Sequence, residues 1–82
     1  MKASVEISLY PLNNHYLPAI EAFIVRLNAY PSLMVKTYPT STLVSGELHD
    51  LMQILEKEFE QTWHEMGQSI FVTKWLMGDL HA

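Results

Sequence analysis

Six segments of regular hydrophobic period follow one another with little chain between them, and their order is what most limits the fold. Residues 3–12 alternate. Val5, Ile7 and Leu9 point one way, and Ser4, Glu6, Ser8 and Tyr10 the other, the period of a half-buried strand. Pro11 and the Asn13-Asn14 pair end it. Over residues 15–30, Tyr16, Ile20, Phe23, Ile24 and Leu27 recur at helical spacing. Pro18 sits in the first turn, where its missing N–H is not needed, either of Asn13 and Asn14 can cap that end, and Pro31 stops the helix.

Residues 33–38 and 41–45 read as a hairpin around Pro39-Thr40, with Gly46 as a breaker. Residues 47–66 form a second helical stripe of Leu48, Met52, Leu55, Phe59, Trp63 and Met66, with Leu51 and Ile54 beside it, ended by Gly67. Glu47 and Asp50 suit the positive end of its dipole. Residues 69–76 make the last strand, and Gly78 closes the ordered part. The order βαββαβ predicts an α+β, ferredoxin-like fold: a four-stranded antiparallel sheet with two helices on one face. The expectation is one domain over residues 1–82.

That arrangement leaves one sheet face without cover of its own. If Val5, Ile7 and Leu9 face the helices, then Glu6, Ser8 and Tyr10 stand on the open face. In the last strand Ile70 and Val72 read as core, which places Phe71, Thr73 and Trp75 on the open face. From the hairpin Lys36, and Thr40 or Thr42, add to it, with their facing left open by the sequence. Rings beside hydroxyls and a carboxylate suit a flat heterocycle, stacked on its face and read along its edge. Glu6 then accepts a hydrogen bond from an amino group; the plainer alternative is a cross-strand pair with Lys36 or Lys74, or simple exposure.

Composition excludes several classes. Net charge is −4, and Lys2, Arg26, Lys36, Lys57 and Lys74 are scattered, which argues against nucleic acid or an anionic membrane as the partner. Cysteine is absent, so thiolate catalysis and disulfides are out. No apolar run approaches the ~18 residues of a membrane span, and no leader is visible, so the cytoplasm is the expected location. His15, His49, His64 and His81 are spread over different elements and read as surface residues, with no metal expected. Glu56, Glu58, Glu60 and Glu65 read as a solvated helix surface, Trp63 as a cap on the core, and residues 79–81 as a mobile end. There is no nucleophile elbow and no arginine beside the first strand to cradle a phosphate, so no catalytic residue and no enzyme activity are expected.

The residues that carry these features also form a recognisable pattern. Val5-Glu6-Ile7-Ser8-Leu9-Tyr10-Pro11-Leu12, Pro18-Ala19-Ile20 with Phe23-Ile24, Ser41-Thr42-x-Val44-x-Gly46-Glu47 and Phe71-Val72-x-Lys74 together resemble the YkoF-like thiamine-binding family, over almost the whole chain and in order. The resemblance implies homo-oligomers made by packing or joining sheets. It also implies binding of thiamine or its hydroxymethylpyrimidine part, with no further cofactor. Glu6, Ser8, Ser41 and Thr42 are the matched positions. The expected site is therefore Glu6, Ser8, Tyr10, Ser41, Thr42, Phe71, Thr73 and Trp75, in a homodimer or homotetramer. The competing expectation is an interaction or regulatory module whose open face is buried by a partner subunit.

Overall fold

Strand β1 (Lys2–Pro11) leads into helix α1 (Leu17–Asn28), strands β2 (Met34–Thr37) and β3 (Thr42–Glu47), helix α2 (Leu48–Met66) and strand β4 (Ser69–Met77). The structure, a computed structural model, describes residues 1–12, 14 and 17–80. The candidate cap Asn13, the stripe residue Tyr16, and His15 and His81 lie outside the described residues. All strand pairs are antiparallel and run β2-β3-β1-β4 across one sheet. The fold is ferredoxin-like α+β, as the segment order requires.

Alternation along β1 decides the layering. Ala3, Val5 and Ile7 are buried and join Val44 of β3, Phe23 and Leu27 of α1, Leu33, and Leu51 and Leu55 of α2 in one core. The buried face of helix α2 is shifted from the expected stripe, keeping Leu55 with Leu48 and Phe59 packed beside it and centring on Leu51. Leu51, Leu55, Glu58 and Thr62 are its buried residues, while Met52 and Trp63 are about half exposed. Trp63 nevertheless closes the core edge, with its ring against Phe71 and its indole N–H donating to the Ser69 carbonyl at 3.1 Å.

One feature of the helix pair and one of β3 depart from expectation. Glu58 is not solvated; it is 3 % exposed and takes the Arg26 Nε–H at 2.6 Å and the Tyr30 hydroxyl at 3.0 Å. Arg26 also donates to Thr62 Oγ1 and Glu65 Oε1, both at 2.8 Å, so one guanidinium ties α1 to three positions of α2. A carboxylate can be buried there because both oxygens have donors. Burial, then the neighbouring Glu58, push the Tyr30 hydroxyl above its ordinary pKa. Gly46, for its part, does not break the hairpin. It lies within β3 opposite Ala3, and a Cβ there would meet Leu33 Cδ2 at 3.0 Å and the Ser32 carbonyl at 3.3 Å. Glycine spares Leu33 and the Ser32 carbonyl the shift of a few tenths of an ångström that a side chain there would demand. Gly67, with φ of 75°, ends α2.

Strand β4 faces the opposite way from the sequence reading. Its register sets Phe71 opposite Leu9, Thr73 opposite Ile7 and Trp75 opposite Val5. Directly opposed residues share a sheet face, so Phe71, Thr73 and Trp75 lie on the helix side. Phe71 packs against Phe59 at 4.1 Å and Phe23 at 5.3 Å between ring centroids. Ile70, Val72, Lys74 and Leu76 are the open-face set, opposite Tyr10, Ser8, Glu6 and Ser4. The residues after β4 are also more engaged than expected: Leu80 N–H donates to Ser4 Oγ, which itself donates to the Gly78 carbonyl at 2.8 Å.

This orientation has a stability signature. Phe71→Ala removes a half-buried ring from the aromatic cluster and is expected to cost roughly 2–4 kcal/mol, toward the lower end of the range for aromatic truncation. Val72→Ala, on the exposed face, is expected to change stability by less than about 0.5 kcal/mol. Urea denaturation measures both; the reverse ranking would mean that β4 is inverted.

Candidate functional site

The open face keeps three of the expected residues together and loses three. Glu6, Ser8 and Tyr10 stand on it, whereas Phe71, Thr73 and Trp75 are on the other side and cannot supply its rings. Trp75 is 38 % exposed at the sheet edge, its indole N–H donating to Thr73 Oγ1 at 3.2 Å. Glu6 takes the plainer of its two readings, a cross-strand pair with Lys74 at 3.9 Å between exposed groups. Such a pair is weak in water, worth about 0–1 kcal/mol.

What replaces the aromatics is an aliphatic and sulfur surface. Met34, Tyr10, Ile70, Val72 and Leu76 are all substantially exposed on this one face. Leu43 sits between Glu6 and Lys36 in the middle of it. Toward one end, Ser4 and Ser45 are buried, their hydroxyls 2.6 Å apart under residues 78–80. Among the described residues of these strands, Tyr10 is the aromatic side chain on this face, with Tyr38 beside Lys36 at its edge.

A second surface was not anticipated from the sequence. On the helix side, a cleft of about 190 Å³ opens between α1 and the turn that joins β2 to β3. Ile7 and Leu9 of β1 and Ile20, Phe23 and Ile24 of α1 form its apolar walls. Residues 37–42 form the rim, with side chains of Thr37, Tyr38, Pro39, Thr40, Ser41 and Thr42. The sequence dictates this local shape. Pro39 and the hydroxyl residues favour a turn, and the turn is pinned by the Tyr38 N–H on the Ser41 carbonyl at 2.8 Å. Ser8 Oγ adds a hydrogen bond to the Thr40 carbonyl at 3.2 Å, from the other face of β1.

Two of the matched positions, Ser41 and Thr42, therefore line the cleft, while Glu6 and Ser8 do not. Thr42 is 6 % exposed, and its hydroxyl has no hydrogen-bond partner among the described residues. It lies opposite Ile7 on one side and Thr37 on the other, so a threonine pair crosses the floor of the rim. Among the described residues that line the cleft there is no acidic residue, lysine, arginine or histidine. The last residue of the same motif, Glu47, has a structural task instead: the amino group of Met1 donates to it at 3.0 Å and Lys2 lies at 3.7 Å. Hydrogen bonding and charge from that ammonium hold its carboxyl below the ordinary carboxylate range.

Comparison with known proteins agrees with the fold and stops short of a family. No family model matches the chain, and no curated protein matches it. Solved structures do. A Streptococcus pneumoniae protein superposes with a TM-score of 0.87 at 25 % identity, over all of this chain and 92 % of that one. A Thermotoga maritima protein provisionally assigned to thiamine biosynthesis or salvage superposes with a TM-score of 0.82 at 17 % identity, covering 92 % of this chain and 82 % of its own. A Bacillus cereus domain of unknown function gives 0.69 at 14 % identity, over 95 % and 77 %. These likenesses are consistent with the resemblance read from the sequence, and what they establish is the shared fold.

Proposed function

We propose that this chain is a non-enzymatic binding protein for a small heterocycle, thiamine or its hydroxymethylpyrimidine part, working as a homo-oligomer in the cytoplasm. The observation that carries the reading is the cleft between α1 and the β2–β3 turn. It combines apolar walls with a rim of hydroxyls, the composition of a small-molecule site. The Ser41-Thr42 part of the thiamine-family pattern falls at that rim. The likeness in fold to a protein provisionally assigned to thiamine metabolism points the same way. Its described walls carry no carboxylate, imidazole or amine to act as general acid or base, which favours holding a ligand over converting it.

In this reading the open sheet face has a separate task. Its exposed apolar residues form one patch with the Glu6–Lys74 pair inside it, the make-up of a contact between copies. A domain of 82 residues gains from covering such a patch, because it buries only about 60–65 % of its own surface. The Glu6 and Lys74 of one copy can meet the Lys74 and Glu6 of another across a twofold axis.

Calorimetric titration tests the ligand. Saturable heat is expected with thiamine or hydroxymethylpyrimidine; absence of heat and of thermal stabilisation with either at millimolar concentration would contradict the reading. Analytical ultracentrifugation tests the assembly. The native chain is expected to sediment as a dimer or larger, and Val72→Lys, which puts a second positive charge beside Lys74, is expected to release the 9.5 kDa monomer. A Val72→Lys variant that assembles like the native chain would move the contact elsewhere.

A further inference from the structure

We infer that residues 78–80 are a strap seated on the open face, caught by Ser4, and that the seated strap completes the surface a second copy of the chain meets. The inference rests on the open-face contact proposed above and adds a segment and a catch residue to it.

The row of side chains beneath the strap is the first reason. Cross-strand register sets Met34, Ser45, Ser4 and Leu76 side by side across the sheet, all on the open face. The outer two are large and the inner two small. The sheet alone would therefore present a trough with two hydroxyls on its floor. Both serines are instead fully buried, because the chain after β4 lies over them. A serine hydroxyl has one proton to give and two lone pairs to offer, and Ser4 uses all three. It donates to the Gly78 carbonyl at 2.8 Å and accepts from the Leu80 N–H at 3.0 Å. Its one proton is then spent, so Ser45 is the donor in the 2.6 Å contact between the two hydroxyls.

The route of the chain is the second reason. Gly78 still belongs to the sheet, with its N–H on the Lys2 carbonyl at 3.0 Å. Its φ of 100° is open to glycine and strained for other residues, and from there the chain turns off the edge strand and over β1. Two strap bonds converge on one side chain, one from each end of the segment. Ser4 thus holds the strap down as a single catch.

The outer surface is the third. Leu80 is half exposed and lies over a row whose ends, Met34 and Leu76, are exposed apolar residues. The strap replaces a polar dip with apolar cover, continuous along β4 with Val72 and Ile70. No charged residue stands in this row. A second copy fits such a surface, since it brings the same row across a twofold axis. A seated Leu80 also meets that copy with its backbone already ordered, whereas a loose one would have to be ordered on contact.

The test joins amide hydrogen exchange by NMR to sedimentation equilibrium, both on the whole chain. The Leu80 amide of the native chain is expected to exchange about tenfold or more slowly than a free amide. Ser4→Ala removes the catch. It is expected to release the Leu80 amide while the amides of β1 and β3 stay protected, and to raise the dissociation constant of the assembly about tenfold. Ser45→Ala leaves both strap bonds of Ser4 in place, so Leu80 is expected to stay protected and assembly to stay within about threefold of native. Leu80→Asp keeps the backbone bond and makes the cover polar, and is expected to weaken assembly about tenfold or more with the residue-80 amide still protected. A native Leu80 amide that exchanges freely would overturn the strap. If Ser4→Ala and Leu80→Asp assemble like the native chain while Val72→Lys dissociates it, the strap has no part in the contact and the open-face reading survives. A native chain that sediments as the 9.5 kDa monomer even at millimolar concentration overturns both.

Discussion

Phe71 sits between Phe59 of α2 and Phe23 of α1, and the facing of the whole of β4 follows from that contact. A strand has two faces, and one residue of slip exchanges them. With Phe71 turned into the helix layer, Thr73 and Trp75 must follow it. Ile70, Val72, Lys74 and Leu76 are then turned out. The aromatic cluster thus decides that the open face is an aliphatic patch with an ion pair rather than a stacking platform.

The same contact helps place the cleft. Phe23 is a wall of the cleft as well as a member of the cluster. The Arg26 fork onto Glu58, Thr62 and Glu65 holds α1 against α2 one turn further along. Helix α1 is in this way fixed at its middle and its end. The turn between β2 and β3 is fixed from the sheet side by the Ser8–Thr40 bond. The gap between two anchored elements persists because neither can collapse into it. In the proposed binding role, a gap held open in this way lowers the ordering cost of taking up a ligand.

The sequence made much of this legible. The element order, the fold and the facing of β1 follow from period alone, because β1 alternates cleanly between Val5, Ile7, Leu9 and Ser4, Glu6, Ser8. Strand β4 is harder, since both of its alternating sets are apolar. β-Branched Ile70 and Val72 resemble core, and nothing local outweighs them. One signal did exist: Lys74 shares their parity, and a lysine belongs on the wet side of a strand. The gap left between helices that carry Phe23 and Phe59 also calls for a large side chain from the sheet, which Phe71 supplies and Val72 cannot. Glu58 was hidden for another reason. Its burial depends on Arg26 and Tyr30, some thirty positions away, and no periodicity records such a partnership. The cleft is likewise a product of tertiary spacing. Only the Ser41-Thr42 pair hinted at it, and that through a family pattern rather than through geometry.

A crystal structure grown with hydroxymethylpyrimidine tests the central claim most directly, that ligand and partner subunit use opposite sides of the sheet. The account predicts density for the ligand in the cleft between α1 and the β2–β3 turn, and a second copy of the chain covering Ile70, Val72 and Leu76. A ring lying against Glu6 and Tyr10 on the open face, with the cleft empty, would contradict it.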